Sequence, residues 1–220
     1  MNRRIKQRNL TNKLCKADII LTSNTIKLFK KFLGKKFEVS GKLIPYADKQ
    51  LKIVSNSVKK GKTDEADIIE YLYTFHTHPK EAYILYNTDL GFPSKGDFEV
   101  YLESFIEFNT ILHLIVTLEG VYGMSINPYF INKKLLQKDT DKYIAKYFAI
   151  DKQNFSTRKG IIINNFLIKN SNDFVKYVNN ASFKNNKNLF ILNFVPWNKI
   201  NKQHFTFNYI KKKSLCTLYK

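Results

Sequence analysis

The chain has 220 residues, of which 44% are hydrophobic and 15% aromatic, and this is enough apolar material for one sizeable core. No segment approaches the roughly 18–20 consecutive apolar residues of a membrane span, and the basic start is not followed by the apolar segment of a secretory signal. Cys15 and Cys216 lie near opposite ends without a CxxC pattern, which argues against a disulfide framework. We therefore expect an intracellular protein of the cytoplasm or nucleus, with no membrane partner.

The formal net charge of +19 favours a polyanionic partner such as nucleic acid or an acidic protein. Only four of the 37 basic residues are arginine, however, and lysine lacks the planar fork with which arginine binds bases and phosphates. Sequence-specific recognition of nucleic acid is therefore disfavoured. The abundant lysine, asparagine, isoleucine, phenylalanine and tyrosine all have A/T-rich codons, so part of the basicity is expected from an A/T-rich genome, such as that of some large DNA viruses, protozoa or low-GC bacteria.

The first elements along the chain are an arm and a helix. Residues 1–20 are predicted to form a basic N-terminal arm. Over residues 1–16, arginine, lysine, asparagine and glutamine are mixed, and the apolar residues do not recur at a helical or strand spacing. The apolar residues between Ser23 and the glycine stop at Gly34 recur at helical spacing, and Ser23 or Asn24 is the expected N-cap. Strands are predicted next over residues 36–44, 50–55 and 70–77.

A second helix is predicted to begin at Ser94, with an apolar face turned to the core. Two apolar runs on either side of Glu119 and Gly120 then predict a hairpin. The remaining elements are predicted as a helix over 133–150, a strand over 160–168, a short helix over 172–178, and strands over 189–195 and 204–210.

Two histidines, His76 and His78, lie at the end of the strand predicted over 70–77. Side chains two residues apart on a strand point to the same face, so the two imidazoles could bind one metal ion. A histidine pair by itself is more often simply a polar strand end. The pair therefore needs a further ligand before it indicates a site.

Asp97 supplies a candidate for that ligand. The segment PSKGD at 93–97 begins the second predicted helix, and Asp97 lies in its first turn, where a carboxylate can face a neighbouring strand end. The plainer interpretation is that Ser94 and Asp97 only cap the helix. Capping and metal ligation are compatible, so both interpretations stay open.

Glu38 lies in the strand-like segment FEVSGKL at 37–43, where an isolated glutamate is usually a solvent-exposed position. A glutamate in a strand, followed by HTHP at 76–79 and PSKGD at 93–97, resembles in this order the JAMM signature of the MPN-plus zinc metallopeptidases. The resemblance covers roughly residues 23–150.

The resemblance implies an α/β fold of the MPN type, which is cytidine-deaminase-like, with a curved mixed sheet flanked by helices. Residues 21–150 would form this JAMM-like metallopeptidase domain. Residues 151–220 match no family known to us, and we treat them as a C-terminal α+β extension of unknown role.

The resemblance also implies the roles of individual residues. His76, His78 and Asp97 would bind one zinc ion per chain and leave its fourth position open. Glu38 would act as the general acid and base, and Ser94 would help to stabilise the oxyanion during hydrolysis of an amide. Family members with this site typically cleave the isopeptide bond between ubiquitin, or a ubiquitin-like protein, and a lysine.

One departure from the family pattern concerns the spacing within the motif. Fifteen residues, 79–93, separate His78 from Ser94, where the family usually has about seven. An insertion of about eight residues before the helix is expected to loop out without moving Asp97, and it would border the substrate groove. Its aromatic residues are equally suited to contact a substrate or to cover the core: Tyr83, Tyr86 and Phe92.

Other candidate ligands lack a comparable context. Asp89 is a competing carboxylate within the insertion. His113 lies in an apolar strand and is predicted to be a buried, hydrogen-bonded histidine rather than a ligand. His204 begins a late predicted strand and has no partner motif.

The sequence therefore predicts a zinc-dependent peptidase that hydrolyses an isopeptide or peptide bond, with removal of ubiquitin or a ubiquitin-like protein as the leading activity. A processing protease acting on a viral or sulfur-carrier-like protein is the nearest alternative enzyme. A different class of function is a structural or virion-assembly module with the same fold, whose basic surface binds a larger complex or nucleic acid. The enzyme needs the metal residues, whereas the module does not.

Overall fold

The structure is a computed structural model that describes residues 13–46, 49–67, 69–131, 133–148, 161–164 and 166–211. Five α-helices lie within these residues: α1 (Ser23–Leu33), α2 (Lys80–Tyr86), α3 (Lys95–Phe108), α4 (Gln137–Phe148) and α5 (Ser171–Asn180). The strands of the same residues are β1 (Lys13–Leu21), β2 (Val39–Tyr46), β3 (Gln50–Ile53), β4 (Lys59–Lys60), β5 (Tyr73–Thr77), β6 (Leu112–Val116), β7 (Gly120–Ile126), β8 (Ile161–Ile163), β9 (Phe166–Ile168), β10 (Ser182–Lys184), β11 (Lys187–Asn188), β12 (Phe190–Pro196) and β13 (Phe205–Lys211).

The central sheet is mixed, curved and nearly closed. Its strands follow the order β12-β7-β6-β5-β2-β3-β1-β13, with β4 paired to β2. The β5–β6 and β1–β3 pairs are parallel, and the other pairs are antiparallel. The two ends of the sheet approach each other, since the side chain of Asn193 on β12 donates a hydrogen bond to the carbonyl of Thr206 on β13 at 2.8 Å. The predicted mixed α/β architecture with a curved sheet is thus confirmed.

Helices cover the sheet on both sides. Ile26, Phe29 and Leu33 form the buried face of α1, and their spacing of three and four residues places them on one side of the helix. The helix begins after Thr22, whose hydroxyl accepts a hydrogen bond from the N–H of Thr25 at 3.1 Å, so the prediction of Ser23 or Asn24 as N-cap is wrong. A second core packs aromatic side chains of α3, α4 and α5 against β6, β7 and β12.

The unit that positions the candidate site is the crossover from β5 through α3 to β6. Because these two strands are parallel, the chain must return along α3 before it enters β6. The carboxyl end of β5 therefore lies beside the amino end of α3. Residues 79–93 join these two ends and contain α2.

The predicted boundaries at residues 20 and 150 do not coincide with the edges of the sheet. Lys13–Leu21 is strand β1 and pairs with β13, so this part of the predicted arm is wrong, while residues 1–12 lie outside the described residues. The predicted extension contributes β12 and β13 to the same sheet. The single strand predicted over 160–168 is a hairpin of β8 and β9.

No helix within the described ranges is long and apolar enough to cross a membrane.

Candidate metal centre

Three side chains converge where β5 ends and α3 begins. His76 is on β5, His78 follows the strand, and Asp97 is in the first turn of α3. The Nε2 atom of His76 lies 3.0 Å from Nε2 of His78 and 3.0 Å from Oδ1 of Asp97. The Nε2 atom of His78 lies 3.4 Å from Oδ2 of Asp97. Among the residues that the structure describes, these three form the group that could hold a metal ion.

The spacing of the three ligand groups fits one small cation. In a tetrahedral site with bonds of about 2.0–2.1 Å, as zinc makes to nitrogen and oxygen, neighbouring ligand atoms lie roughly 3.3 Å apart. The two imidazole nitrogens lie 3.0 Å apart, and they lie 3.0 and 3.4 Å from Oδ1 and Oδ2 of Asp97, respectively, which is close to this value. Three protein ligands would leave one tetrahedral position for another molecule, which is the arrangement of a catalytic rather than a structural site.

His76 is supported from within the sheet. Its Nδ1 atom lies 2.6 Å from Nε2 of His113 on β6, and Nδ1 of His113 lies 2.7 Å from Oγ1 of Thr74. If Nε2 of His76 keeps its lone pair for a metal ion, Nδ1 carries the proton and donates it to His113, whose Nδ1–H then donates to Thr74. All three side chains are buried. The prediction that His113 is a buried, hydrogen-bonded histidine is confirmed.

His78 is supported by the inserted segment instead. Its Nδ1 atom lies 3.0 Å from the carbonyl oxygen of Gly91. The N–H of Gly91 donates to Oε1 of Glu119 at 2.9 Å, and the hydroxyl of Tyr83 donates to Oε2 of the same carboxylate at 2.6 Å. The insertion was expected to loop out, but it folds back as α2 and contacts a candidate ligand. The carbonyl holds the proton on Nδ1 and so directs Nε2 of His78 towards the other ligand atoms.

Asp97 caps its helix and belongs to the ligand group at the same time. The N–H of Ser94 donates to Oδ2 of Asp97 at 2.6 Å, and the Ser94 hydroxyl accepts from the N–H of Asp97 at 3.3 Å. The other carboxylate oxygen, Oδ1, is the one beside His76. A carboxylate has enough lone pairs for both tasks, so the two interpretations of the PSKGD segment hold together.

Charge within the cluster opposes the effect of burial. Burial disfavours ionisation of Asp97, but the neighbouring charges of His76 and His78 outweigh it and hold the pKa of Asp97 well below its usual range. Burial would also lower the pKa of His78, yet Asp97 and Glu38 raise it to about 9. Burial holds the pKa of His113 well below its usual range, which keeps this histidine neutral. His78 and Asp97 therefore each favour the charged form of the other.

Glu38 lies directly before β2 and is only 6% exposed. Its N–H donates to the carbonyl of Lys62 at 2.6 Å, which fixes the main chain at this point. Burial raises the pKa of Glu38 to about 6, although the positive charges of His78 and His76 partly offset this effect. A carboxyl group with a pKa close to neutrality can both accept and return a proton.

A cavity of about 240 Å³ opens beside these groups. Glu38, His78, Ser94 and Asp97 line it, and a second cavity is lined by Glu38, His76, Ser94 and Asp97. The structure thus brings all five predicted site residues to one region.

The aromatic residues of the insertion all line the cavity. Tyr83 and Phe92 are buried, and the ring of Phe92 stacks on Phe174 at a centroid distance of 4.4 Å. Tyr86 is half-buried, and its hydroxyl donates to the carboxylate of Asp64. The first two therefore belong both to the core and to the cavity wall, while Tyr86 lines the cavity and is partly open to solvent.

Asp89 and His204 are exposed, and neither belongs to the candidate metal group of the described residues.

Three supporting groups of the centre are absent from the sequence motif. His113 gives a weak signal, since a histidine in an otherwise apolar run needs a buried partner. Thr74 lies two residues before His76 and so shares its face of β5. The contact from Gly91 is made by the main chain, which leaves no trace in the residue type.

No protein-family model matches this chain, and no solved structure matches it. The chain is 26% identical over 156 residues to a viral protein, Uncharacterized protein 3R of Frog virus 3 (isolate Goorha). The aligned part covers 65% of this chain and 35% of the relative, so the chain spans about a third of the length of the curated relative it matches. This similarity relates the chain to a viral protein whose printed name gives no activity.

Proposed function

We propose that the chain is a zinc-dependent peptidase of the JAMM type, with an MPN-like fold and one zinc ion per chain. One observation carries the proposal: two imidazole nitrogens and a carboxylate lie within 3.4 Å of one another, beside a cavity that also contains Glu38 with its pKa raised to about 6. The nitrogen and oxygen donors suit zinc. The buried glutamate adds the proton transfer that hydrolysis requires.

The proposed roles follow from the position of each group. His76, His78 and Asp97 would hold the zinc ion, which would supply polarisation of a carbonyl and a lowered pKa of water. Glu38 takes the proton of the attacking water and returns it to the leaving amine, as its raised pKa allows. Ser94 donates its hydroxyl hydrogen to the developing oxyanion. His113 and the Gly91 carbonyl keep both histidines in the tautomer that ligation needs.

The first substrates to test are isopeptide bonds between a lysine and ubiquitin or a ubiquitin-like protein, because the resemblance to JAMM peptidases implies them. Peptide bonds of a processed viral protein are the second. The similarity to a Frog virus 3 protein supports a viral source, with the host cell or the virion as the place of action.

The buried carboxyl group favours an enzyme over a structural module. A carboxyl whose folded-state pKa is raised costs stability at neutral pH, and a purely structural protein gains nothing from that cost. The lysine-rich surface remains compatible with a polyanionic partner of the same protein.

The proposal is tested by measuring zinc and hydrolysis on the same samples. We expect elemental analysis to find about one zinc per wild-type chain and none in Asp97→Ala. Glu38→Gln should keep its zinc but lose roughly 10²- to 10⁴-fold in the rate of ubiquitin-chain or peptide cleavage. Asp89→Asn is the matched control, because this carboxylate is exposed and lies outside the ligand group.

Zinc bound equally by wild type and Asp97→Ala would show that the metal lies elsewhere. A wild type that binds no zinc would refute the peptidase and leave a basic assembly module as the better account.

A further inference from the structure

The cavity beside the candidate metal centre has an apolar part that the proposed hydrolysis does not use. Its polar part contains Glu38, His78 and Asp97. The rest of its wall is formed mainly by apolar or aromatic side chains from α2, from the segment after it and from the end of α4: Ala82, Tyr83, Tyr86, Leu90, Phe92 and Phe148.

The size of the cavity limits what it can hold. Pockets for drug-sized ligands measure roughly 300–1,000 Å³. The volume here, about 240 Å³, suits one large side chain with its adjoining main chain. Since the far wall offers mostly carbon atoms, an apolar side chain gains most from burial there.

We propose that this cavity is a specificity pocket for a bulky apolar side chain, of the leucine or phenylalanine kind, on a substrate residue next to the scissile amide. The inference rests on the proposed hydrolytic function, because the pocket opens onto the ligand atoms and onto Glu38. A substrate with glycine at that position, as at the end of ubiquitin, would leave the pocket empty and lose the gain from burial. The pocket therefore favours the second proposed substrate, a peptide bond of a processed viral protein, over the ubiquitin isopeptide.

The walls of the pocket are fixed before any substrate binds. The hydroxyl of Tyr83 is hydrogen-bonded to Glu119 and accepts from the N–H of Leu118 at 2.9 Å. The ring of Phe92 is stacked on Phe174. A pocket formed in advance discriminates between side chains more strongly, because no ordering of the wall has to accompany binding.

Tyr86 is the wall residue that can be changed without opening the core. It is half-buried on α2, and its hydroxyl donates to Asp64, which lines the cavity from the loop after β4. Tyr86 thus lines the pocket while it is partly open to solvent. Leu85 is the matched control, because it is 57% exposed on the same helix and does not line the cavity.

The test uses N-acetylated amino-acid hydroxamates, whose two oxygens bind a zinc ion and place the side chain beside it. Affinities of the glycine and phenylalanine derivatives are measured by calorimetry on the zinc-loaded full chain. We expect the phenylalanine derivative to bind roughly 10- to 150-fold more tightly to the wild type and to Leu85→Ala. In Tyr86→Ala this ratio should fall by about three- to tenfold, and in Tyr86→Phe, which keeps the ring, it should be retained.

The possible outcomes separate the pocket from the hydrolytic function. Equal affinities for the two hydroxamates in a chain that binds zinc would overturn the pocket and leave the metal centre intact. The pocket would also be overturned if Tyr86→Ala left the preference for the phenylalanine hydroxamate unchanged, or if Leu85→Ala lowered this preference by the same factor as Tyr86→Ala. Failure of the wild type to bind zinc would overturn the proposed function, and the pocket inference would fail with it.

Discussion

The two histidines of the candidate metal centre are supported by two different regions of the molecule. His76 is supported by the sheet, because its partner His113 lies on the neighbouring strand in parallel register. His78 is supported by the insertion, through a main-chain carbonyl thirteen residues further on, at Gly91. The sheet side is buried and fixed by strand pairing, whereas the insertion side depends on a few hydrogen bonds around Glu119. We infer that a ligand held by strand pairing is more rigid than one held by a connecting segment, and that the two sides should respond differently to mutation.

The largest effect is expected for Asp97→Asn, because Asp97 contacts the histidines of both regions. Four-ligand zinc sites bind with about 10–16 kcal/mol, or about 3 kcal/mol per ligand, so the zinc affinity should fall by more than roughly a hundredfold. Competition with a chromophoric chelator measures this change. Glu99→Gln on the exposed face of the same helix is the control, since Glu99 forms a surface ion pair with Lys95 at 3.2 Å. An Asp97→Asn variant that binds zinc like the wild type would remove Asp97 from the ligand set.

His113→Leu tests the sheet side alone. The change removes the acceptor for Nδ1 of His76, so the zinc affinity should fall by roughly 10- to 100-fold, as is usual when the partner of a ligating histidine is lost. His113→Gln retains an acceptor and should recover most of the affinity. If His113→Leu is folded by circular dichroism and binds zinc normally, strand pairing alone holds His76 in place.

Glu38→Gln tests the cavity that both regions share, through the pH dependence of stability. The pKa of Glu38 rises from 4.5 to about 6 on folding, so the folded state binds more protons between these values and the free energy of unfolding falls as the pH rises through them. A glutamine at position 38 does not titrate, so it adds no pH dependence to the free energy of unfolding. The stability of metal-free Glu38→Gln relative to wild type should therefore increase by about 2 kcal/mol between pH 4 and pH 8. Urea denaturation in the presence of a chelator measures the difference, and a constant difference across this range would contradict the buried, raised-pKa carboxyl.

The smallest effect is expected for Glu119→Gln, which weakens the hydrogen bonds that hold Gly91 and Tyr83. We expect a loss of about 1 kcal/mol in the free energy of unfolding and a decrease in zinc affinity of less than about tenfold. Glu103→Gln, an exposed position on α3, is the control. A loss of zinc affinity as large as that of His113→Leu would show that the insertion fixes its histidine as firmly as the sheet does.

Much of the site's local structure can be predicted from the sequence. Ser94 caps α3 as predicted, and Phe98, Tyr101 and Leu102 form the buried face of that helix. His76 on β5 and His78 directly after it lie two residues apart, and their Nε2 atoms are 3.0 Å from each other. These features depend on residues close together in the chain, whose relative positions follow from helical and strand periodicity.

The larger failures of prediction concern contacts between distant segments, whereas the N-cap of α1 and the β8–β9 hairpin were local errors. Lys13–Leu21 looks like the end of a free basic arm in the sequence, yet it is β1 and pairs with β13 near the other end of the chain. The predicted boundary at 150 likewise separates strands that share one sheet. Strand pairing over such distances leaves no local pattern, because the partner of a strand is chosen by the packing of the whole sheet.

The sequence by itself determined the residue types of the centre, their order and the local elements that carry them, since ligand chemistry and short-range periodicity are properties of a few neighbouring residues. Only the tertiary structure decided which groups hydrogen-bond to the candidate histidine ligands. These are His113, on the strand parallel to that of His76, and the carbonyl of Gly91, near the end of the insertion. It also decided that Glu38 is buried, and burial is what raises its pKa to about 6. Desolvation and the choice of tautomer depend on everything that surrounds a group in space, and only the folded chain specifies those surroundings.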